Sequence, residues 1–448
     1  MSSSSSSSSS SSEGDGNGGG GGGGDGVRGV RHRFGNGVWP EPFVEALASQ
    51  VAIDASRSHG RLAAAPALAN LFLVCSTWRA VSRSDLLWHR LNRRIWNRTR
   101  CLHATWHEEY VFRHRTAFNF VTGQSSYTTL LFDPTDAGDN NDSLSCRCLA
   151  LSDLYLACGF ADGTIRLFEL LTRLHTATFH PVPRDDRLGR FSAAVSGIII
   201  DNEVRLVFAT FDGDINVAAI NNNAPTYRAH LGNVVNDGIL VDFAGCSRWW
   251  VGLYAGVPGR SFRIWDGVTE GLLFVGGSLT DREAVVGWHL LNELTEFVGR
   301  VRVTSLESAV ACTASRIMVF DLRNQVPRQE VFRRGVVVGS VDTSNEAYVF
   351  VNNSGVASVR RADTLEEVCR FVVGGGSAQR RGLLGCMNDG YALMCARGVI
   401  TVWEVSHGER LYSFGQSIGV ANALIADERH VAACCSDTSI HLWDFGAQ

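Results

Sequence analysis

Apolar residues recur at helical spacing between residues 39 and 88. Phe43, Leu47 and Val51 lie four residues apart, as on one face of an amphipathic helix, and a similar series follows at 68–75. Prolines stand at the entry, where a helix can begin without losing a hydrogen bond. A third apolar turn at 84–88 starts with a serine and an aspartate, which are good N-cap residues. Three short helices cannot cover this much apolar surface, so the pattern predicts a partner groove.

From residue 127 onward the pattern changes to short alternating runs between glycine and aspartate turns, which indicates β-strands. A turn followed by one such strand recurs seven times, at spacings of about 40 to 55 residues. The seven copies are 162–169, 212–217, 261–266, 316–321, 355–359, 398–404 and 438–444. The series resembles WD40 blades, with Trp-Asp pairs at 265–266 and 443–444 but without the Gly-His signature. We therefore predict a mainly β fold, a seven-bladed WD40-like β-propeller at 127–448 preceded by a small α-helical domain at 38–98.

The end of the last copy predicts how the ring closes. Only four residues follow Asp444, which is too few for the outer strand of a seventh blade. A closed propeller leaves no open edge. The alternating run 127–132 is free to fill the place, and we predict that it pairs with 438–444.

Two further segments differ in composition from these domains. Residues 1–37 are a serine run and then a glycine run without apolar periodicity, which predicts a disordered tail. Residues 99–126 belong to a stretch rich in arginine and aromatic residues, predicted to be a helical linker. A nucleic-acid or nuclear-import patch is the alternative interpretation of the arginines in this stretch, which are Arg90, Arg93, Arg94, Arg98, Arg100, Arg113 and Arg115.

Composition excludes several classes of function. The net charge of −4 gives no reason to expect unspecific nucleic-acid binding by the whole chain, and no apolar run approaches eighteen residues. The twelve cysteines lack zinc spacing and lie mostly in apolar runs, so we expect them to be reduced and structural. No nucleophile elbow, phosphate loop or metalloprotease motif occurs, and no cofactor or metal is expected. A propeller hydrolase therefore has no sequence support.

The chain contains no lysine, and all 41 of its basic residues are arginine. Biased codon usage is one explanation. The other explanation is functional. Ubiquitin is attached mainly to the lysine ε-amine, which arginine cannot replace, so a chain without lysine can stay bound to a ubiquitin ligase without becoming its substrate. Under this hypothesis, surface lysines introduced by mutation shorten the lifetime of the protein and increase its ubiquitin conjugation. An unchanged lifetime and unchanged conjugation would contradict the hypothesis.

The helical segment resembles the F-box, which docks a substrate receptor onto a Skp-family linker of a cullin–RING ubiquitin ligase. The alternative is that these helices only form a core packed on the following domain. The stretch 49–65 is longer than the usual F-box connection. The residues that carry the resemblance, and that it implies as linker-binding, are Trp39, Pro40, Phe43, Leu47, Leu71, Val74, Cys75, Trp78, Leu87 and Trp88.

Longer stretches resemble the plant STERILE APETALA family of F-box regulators. They are 39–43, 144–168, 248–253, 255–260 and 440–446. This resemblance covers about residues 38–448 and implies a nuclear, non-catalytic substrate receptor of a Skp–cullin–F-box ubiquitin ligase. Its substrates would be transcriptional repressors of the PEAPOD and KIX-adaptor type, and it would promote organ growth and flower development. The implied partners are the linker, the cullin scaffold and these repressors, with no small molecule, no membrane and no direct nucleic-acid contact expected. The family has also been labelled a transcriptional regulator, which is the competing function.

Substrate contacts are expected from loops on one rim of the propeller, because tryptophan and arginine are enriched in binding hot spots. The candidates are Arg184, Arg187, Arg190, Trp249, Trp250 and Arg260. Burial of one or both tryptophans in a blade is the alternative.

Overall fold

The structure is a computed structural model. It describes residues 39–132, 145–185, 189–221, 224–277, 299–313, 316–324, 326–331, 338–373 and 383–446. The predicted tail at 1–37 lies outside the described residues, as does Arg187.

Five helices precede the first strand in the described part of the chain. They are α1 (Glu41–His59), α2 (Ala64–Phe72), α3 (Ser76–Ala80), α4 (Asp85–Ile95) and α5 (Trp106–Thr122), with 3-10 turns at Arg61–Ala63 and Val81–Arg83. Helix α4 begins where Ser84 accepts a hydrogen bond from the Leu87 amide, and α5 ends at Gly123 in the left-handed conformation. We call α1 to α5 the helical module. None of the described helices has both the length and the apolar character needed to cross a membrane.

The described strands form seven four-stranded antiparallel sheets, which confirms the predicted seven-bladed propeller. Blade 1 contains β2 (Cys146–Leu151), β3 (Tyr155–Phe160), β4 (Ile165–Glu169) and β5 (Leu174–Phe179), and blade 2 contains β6 (Val195–Asp201), β7 (Arg205–Thr210), β8 (Ile215–Ala219) and β9 (Tyr227–His230). Blade 3 contains β10 (Ile239–Gly245), β11 (Trp249–Ala255), β12 (Phe262–Asp266) and β13 (Leu272–Gly276), and blade 4 contains β14 (Arg300–Val303), β15 (Ser308–Cys312), β16 (Arg316–Asp321) and β17 (Val326–Val331). Blade 5 contains β18 (Val338–Thr343), β19 (Ala347–Asn352), β20 (Val356–Arg361) and β21 (Glu367–Val372), and blade 6 contains β22 (Leu384–Met387), β23 (Tyr391–Ala396), β24 (Val399–Glu404) and β25 (Arg410–Ser413). Blade 7 contains β26 (Ala421–Ala426), β27 (His430–Cys435), β28 (Ile440–Asp444) and β1 (Ser126–Leu130). A helical turn, α6 (Val234–Asp237), precedes β10.

Each of the seven predicted repeats overlaps the third strand of a blade. The turn before this strand explains why the repeat is visible in the sequence. In blade 1 the Asp162 carboxylate accepts hydrogen bonds from the amide and the hydroxyl of Thr164, at 2.8 and 2.7 Å. Gly163 lies between them with φ of 91°, a backbone conformation that residues other than glycine rarely adopt.

The ring closes through β1, as predicted. It pairs antiparallel with β28, with Tyr127 opposite Trp443 and Thr129 opposite His441. The Tyr127 hydroxyl also lies 2.8 Å from Nδ1 of His441. The first strands of successive blades contact one another around the ring, and β26 of blade 7 contacts β2 of blade 1. The last blade is therefore completed by a strand from before the first.

The propeller core lies between neighbouring blades. In the described residues, seven clusters of buried apolar side chains each join two adjacent blades, and an eighth fills the helical module. The cluster between blades 7 and 1 contains Leu130 of β1 with Leu156 and Ile440. The closing strand thus contributes to packing as well as to hydrogen bonding.

The alternation of strand direction defines two faces of the ring. Loops between first and second strands and between third and fourth strands lie on one face, which we call the helix-side face. Loops between second and third strands, and from a fourth strand to the next blade, lie on the other, which we call the far face.

Packing of β1 can be tested with two adjacent leucines. Leu130 is buried, whereas Leu131 is 80% exposed. Leu130→Ala should lower the free energy of unfolding by about 2–4 kcal/mol, and Leu131→Ala should change it by less than about 0.5 kcal/mol. Urea unfolding followed by circular dichroism measures both. Equal transition midpoints would show that β1 does not hold the ring closed.

Candidate functional site

The helical module has a core of its own. One side of α1, formed by Val44, Ala48 and Ala52, is fully buried against the other helices. These residues follow a spacing of four, so α1 places Phe43 and Leu47 at the edge of its buried side. Phe43 is exposed and Leu47 is half-buried.

Three of the predicted linker-binding residues belong to this core. Leu71, Leu87 and Trp88 are at most 7% exposed, so the core of the module covers most of each side chain, and their binding to a linker stays a prediction. Trp88 donates to the Ser82 carbonyl at 2.7 Å and packs edge-on against Phe72. Their helical spacing identified an apolar face but not which neighbour covers it.

Other predicted residues lie at the surface of the module. Trp39 and Phe43 are stacked, with ring centroids 4.7 Å apart, and remain 52% and 46% exposed. Pro40 between them is also exposed and occupies the N-cap of α1 without a side-chain hydrogen bond. Two stacked aromatic rings facing solvent form an apolar projection at the start of α1.

A second apolar projection lies in the turn from α2 to α3. Val74 and Cys75 are exposed there, and Trp78 on α3 is half-buried. Helix α3 packs against α1, so this turn and the start of α1 belong to contacting helices. Sequence reasoning missed Leu73, which is 79% exposed, and Leu86, which is 57% exposed. The signal was present, because four consecutive apolar residues at 71–74 cannot all lie on the buried side of one helix.

The module also has an apolar groove of about 480 Å³ between α2, α4 and α5. Its walls include Leu68, Phe72 and Trp88 on one side and Tyr110 and Phe118 of α5 on the other. Phe118 is 50% exposed. Grooves of this composition accept the apolar side of a helix in many complexes.

Arginines of the helical module hold it against the propeller. Arg61 pairs with Asp389 at 2.9 Å and with Glu428 at 2.8 Å. Arg98 pairs with Asp153 at 2.9 Å and with the same Glu428 at 3.3 Å. Burial lowers the pKa of Arg98, but Glu428 and Asp153 outweigh this effect and leave it raised. The three acidic residues lie in loops between first and second strands, which places the module on the helix-side face.

Helix α5 completes this junction. Phe120 stacks on Tyr391 at 4.8 Å and contacts Phe445 at 4.4 Å, and its carbonyl accepts a hydrogen bond from the Tyr412 hydroxyl. Asn119 donates to the Phe445 carbonyl at 2.8 Å. The linker predicted at 99–126 thus includes a helix packed on blades 6 and 7.

One arginine of this linker forms an ion pair inside the module. Arg113 and Glu109 are both buried and lie 2.7 Å apart, and His103 is 2.6 Å from the same carboxylate. Burial raises the pKa of Glu109, but the hydrogen bonds from His103 and Arg113 lower it below its ordinary value overall. Together with Arg98, Arg113 is therefore engaged within the protein.

The candidates on the propeller divide between surface and interior. Arg260 lies between β11 and β12 on the far face, and its side chain is 52% exposed. Arg184 is also in a far-face loop, but it pairs with the buried Asp214 at 2.9 Å and its side chain is only 12% exposed. Arg190 begins a 3-10 turn, Arg190–Ala193, on the same face.

Trp249 and Trp250 are buried in blade 3, which agrees with the alternative interpretation of these two candidates. They are 7% and 0% exposed, because they begin β11 and alternate between its two sides. Trp249 packs toward blade 4, and Trp250 packs toward blade 2. They also stand at the helix-side end of β11, away from the far face.

The described residues hold no cluster of three or more His, Cys, Asp or Glu side chains suited to a metal ion. All twelve cysteines are unpaired. Burial raises the pKa of the Cys148 thiol to about 12, which keeps it protonated at neutral pH.

Fold and geometry together define the class of protein: a seven-bladed WD40-like propeller with a helical module fixed to one face. Comparison with models of protein families found no match. A curated protein of Arabidopsis thaliana described as "Transcriptional regulator STERILE APETALA" is 59% identical over 422 residues, which cover 93% of this chain and 94% of that protein. The chain therefore belongs to the plant STERILE APETALA family, as the resemblance predicted.

Solved structures resemble the propeller in fold alone. The structure of U3-55K aligns with a TM-score of 0.53 at 10% identity, covering 71% of this chain and 98% of that one. The β-propeller domain of Cps50 (Swd1) from Myceliophteria thermophila aligns with a TM-score of 0.50 at 12% identity, covering 71% of this chain and 99% of that one.

The ionic junction can be tested at its shared acceptor. Glu428→Ala leaves Arg61 and Arg98 each with one partner fewer in a partly buried site, and should lower the free energy of unfolding by about 1–3 kcal/mol. Glu346 is the matched control, because its pair with Arg361 is long, at 3.9 Å, and exposed. Glu346→Ala should change stability by less than about 0.5 kcal/mol. Urea unfolding followed by tryptophan fluorescence compares the two, and equal losses would mean that Glu428 has no special role.

Proposed function

We propose that this chain is the substrate-recognition subunit of a Skp–cullin–F-box ubiquitin ligase. The helical module docks on a Skp-family linker, and the propeller captures transcriptional repressors of the PEAPOD or KIX-adaptor type in the nucleus. Their degradation promotes organ growth and flower development. The observation that carries the proposal is that two surfaces lie on opposite faces. The helical module occupies the helix-side face, while the loops that hold Arg184, Arg190 and Arg260 lie on the far face.

The exposed side chains of the module support its assignment as the docking element. Trp39, Phe43 and Val74 match F-box positions and are about half exposed or more. Covering the exposed half of each aromatic ring would contribute roughly 2 kcal/mol at about 25 cal/mol per Å². Such side chains commonly dominate the binding energy of an interface.

The fixed junction between the helical module and the propeller supports a receptor whose role is to hold a substrate in position. Bond chemistry in such a complex is assigned to the enzyme that the scaffold recruits, so the receptor needs only to hold a substrate at a constant position. The ion pairs of Arg61 and Arg98 and the packing of Phe120 restrict movement between module and propeller. A rigid connection is the physical requirement of this role.

The competing proposal is a transcriptional regulator or nuclear scaffold that acts through the arginine-rich linker and the propeller. It is favoured by the name of the Arabidopsis relative. Direct nucleic-acid contact through the linker is limited, because Arg98 and Arg113 already pair with carboxylates of this chain. Arg93 and Arg94 on α4 are exposed and are the arginines to test.

Co-purification with a Skp-family linker tests the receptor. The wild-type chain should retain the linker, and the double variant Phe43→Ala, Val74→Ala should lose it by about tenfold or more, because both exposed side chains would be buried in the complex. Leu171→Ala is the control, since Leu171 is 80% exposed but lies in a propeller loop.

Two outcomes would reject the receptor. Wild-type protein that never retains a linker excludes the proposed docking. Salt-dependent DNA binding that is lost when Arg93 and Arg94 are replaced by glutamine would favour the competing function.

A further inference from the structure

A β-bulge at the far-face end of β2 holds Arg147, and the first strands of blades 2, 3, 5 and 7 have a bulge at the corresponding place. Cys146 pairs with Phe160 and Cys148 pairs with Gly159, so Arg147 is the inserted residue and has no cross-strand partner. Bulges redirect a side chain out of the regular alternation of a strand and are frequent near binding sites. Since β2 is the innermost strand of blade 1, this bulge lies at the far-face mouth of the propeller.

The redirected side chain reaches over blade 2. Its guanidinium carbon lies 4.5 Å from the ring centroid of Phe211, a residue in a far-face loop. The Phe211 amide donates to the Ala194 carbonyl at 3.0 Å, next to the start of β6. Stacking on an aromatic ring fixes the plane of the guanidinium and leaves the N–H groups at its edge free to donate hydrogen bonds.

The Arg147 cation has no counter-charge bound to it. Its guanidinium makes no hydrogen bond or ion pair with any residue that the structure describes, and its Nε is buried. The charge of Asp242 acts on Arg147, but the Asp242 carboxylate accepts hydrogen bonds from the Val301 amide at 2.7 Å and from Arg302 at 2.8 Å. Burial and then the charge of Arg300 lower the pKa of Arg147, so its environment disfavours the positive charge.

A second donor without a partner lies on the adjacent strand. Ser196 is the inserted residue of the same bulge in β6, between the paired Val195 and Gly197. It is 4% exposed, and its hydroxyl has no hydrogen-bond partner among the described residues. Strands β2 and β6 are neighbours at the boundary between blades 1 and 2, and both bulges lie at their far-face ends. The Ser196 hydroxyl is itself buried, so Arg147, which is only partly buried, is the group that a partner can reach.

We propose that Arg147 forms a site at the far-face mouth that binds an acidic side chain of a partner protein. A carboxylate fits, because one planar guanidinium can donate two parallel hydrogen bonds to it and a single negative charge balances the single unpaired cation. Naming that partner as the ligase substrate rests on the proposed function. The binding site itself does not.

Binding of a hexaglutamate peptide to the purified full chain tests the site. At low ionic strength the fluorescently labelled peptide should bind the wild type, and Arg147→Gln should weaken binding by about tenfold or more. Arg147→Lys keeps the positive charge but lacks the two parallel N–H donors of the guanidinium, and it should give an intermediate loss of peptide affinity. Arg361→Gln is the control, because Arg361 is exposed and ends β20 at the helix-side face. It should bind like the wild type.

Thermal unfolding gives a second and independent result. Removing an unpaired, partly buried cation should leave the melting temperature of Arg147→Gln equal to or above that of the wild type, and hexaglutamate should no longer raise it. A lower melting temperature with peptide binding retained would overturn the site, because Arg147 would then be structural. Binding of a phosphoserine peptide but not of hexaglutamate would overturn the assignment to a carboxylate. A chain that binds hexaglutamate through Arg147 but retains no Skp-family linker would keep this site and reject the proposed function.

Discussion

Closure of the ring by β1 is the constraint on which the rest of the structure depends. The strand comes from before blade 1 and completes blade 7, so the first and last parts of the propeller are fastened together by backbone pairing with β28 and by the packing of Leu130. Helix α5 ends at Thr122, only a few residues before β1 begins. The same strand that closes the ring therefore also tethers the helical module beside blades 6 and 7.

The junction then converts this tether into a fixed orientation. Glu428 lies between Arg61 and Arg98, and Phe120 lies between the rings of Tyr391 and Phe445. Ion pairs of this kind are weak as isolated surface contacts, but several around one partly buried carboxylate act together and require one geometry. The far face is consequently held at a constant distance from the exposed rings of Trp39 and Phe43.

Sequence patterns predicted the parts of this structure that are local. The third strand of every blade was predicted because a turn such as Asp162–Gly163–Thr164 precedes it, and the closing strand was predicted from the alternating run at 127–132. Burial could not be predicted in the same way, since Leu87 and Leu86 are neighbours in a helix and only one of them is covered. The bulge at Arg147 left no sequence signal, because it depends on the register between two strands.

The order of the strands also has a consequence for biosynthesis. A chain grows from its N-terminus, so β1 leaves the ribosome long before β28, the strand with which it pairs. Until then neither edge of β1 has a partner, and Leu130 lacks the blade 7 side chains of its cluster. A chain interrupted before residue 440 can form the helical module but cannot close the ring. Such a product would keep the surface that we assign to the linker while having no complete far face, and it would occupy a ligase without delivering anything to it.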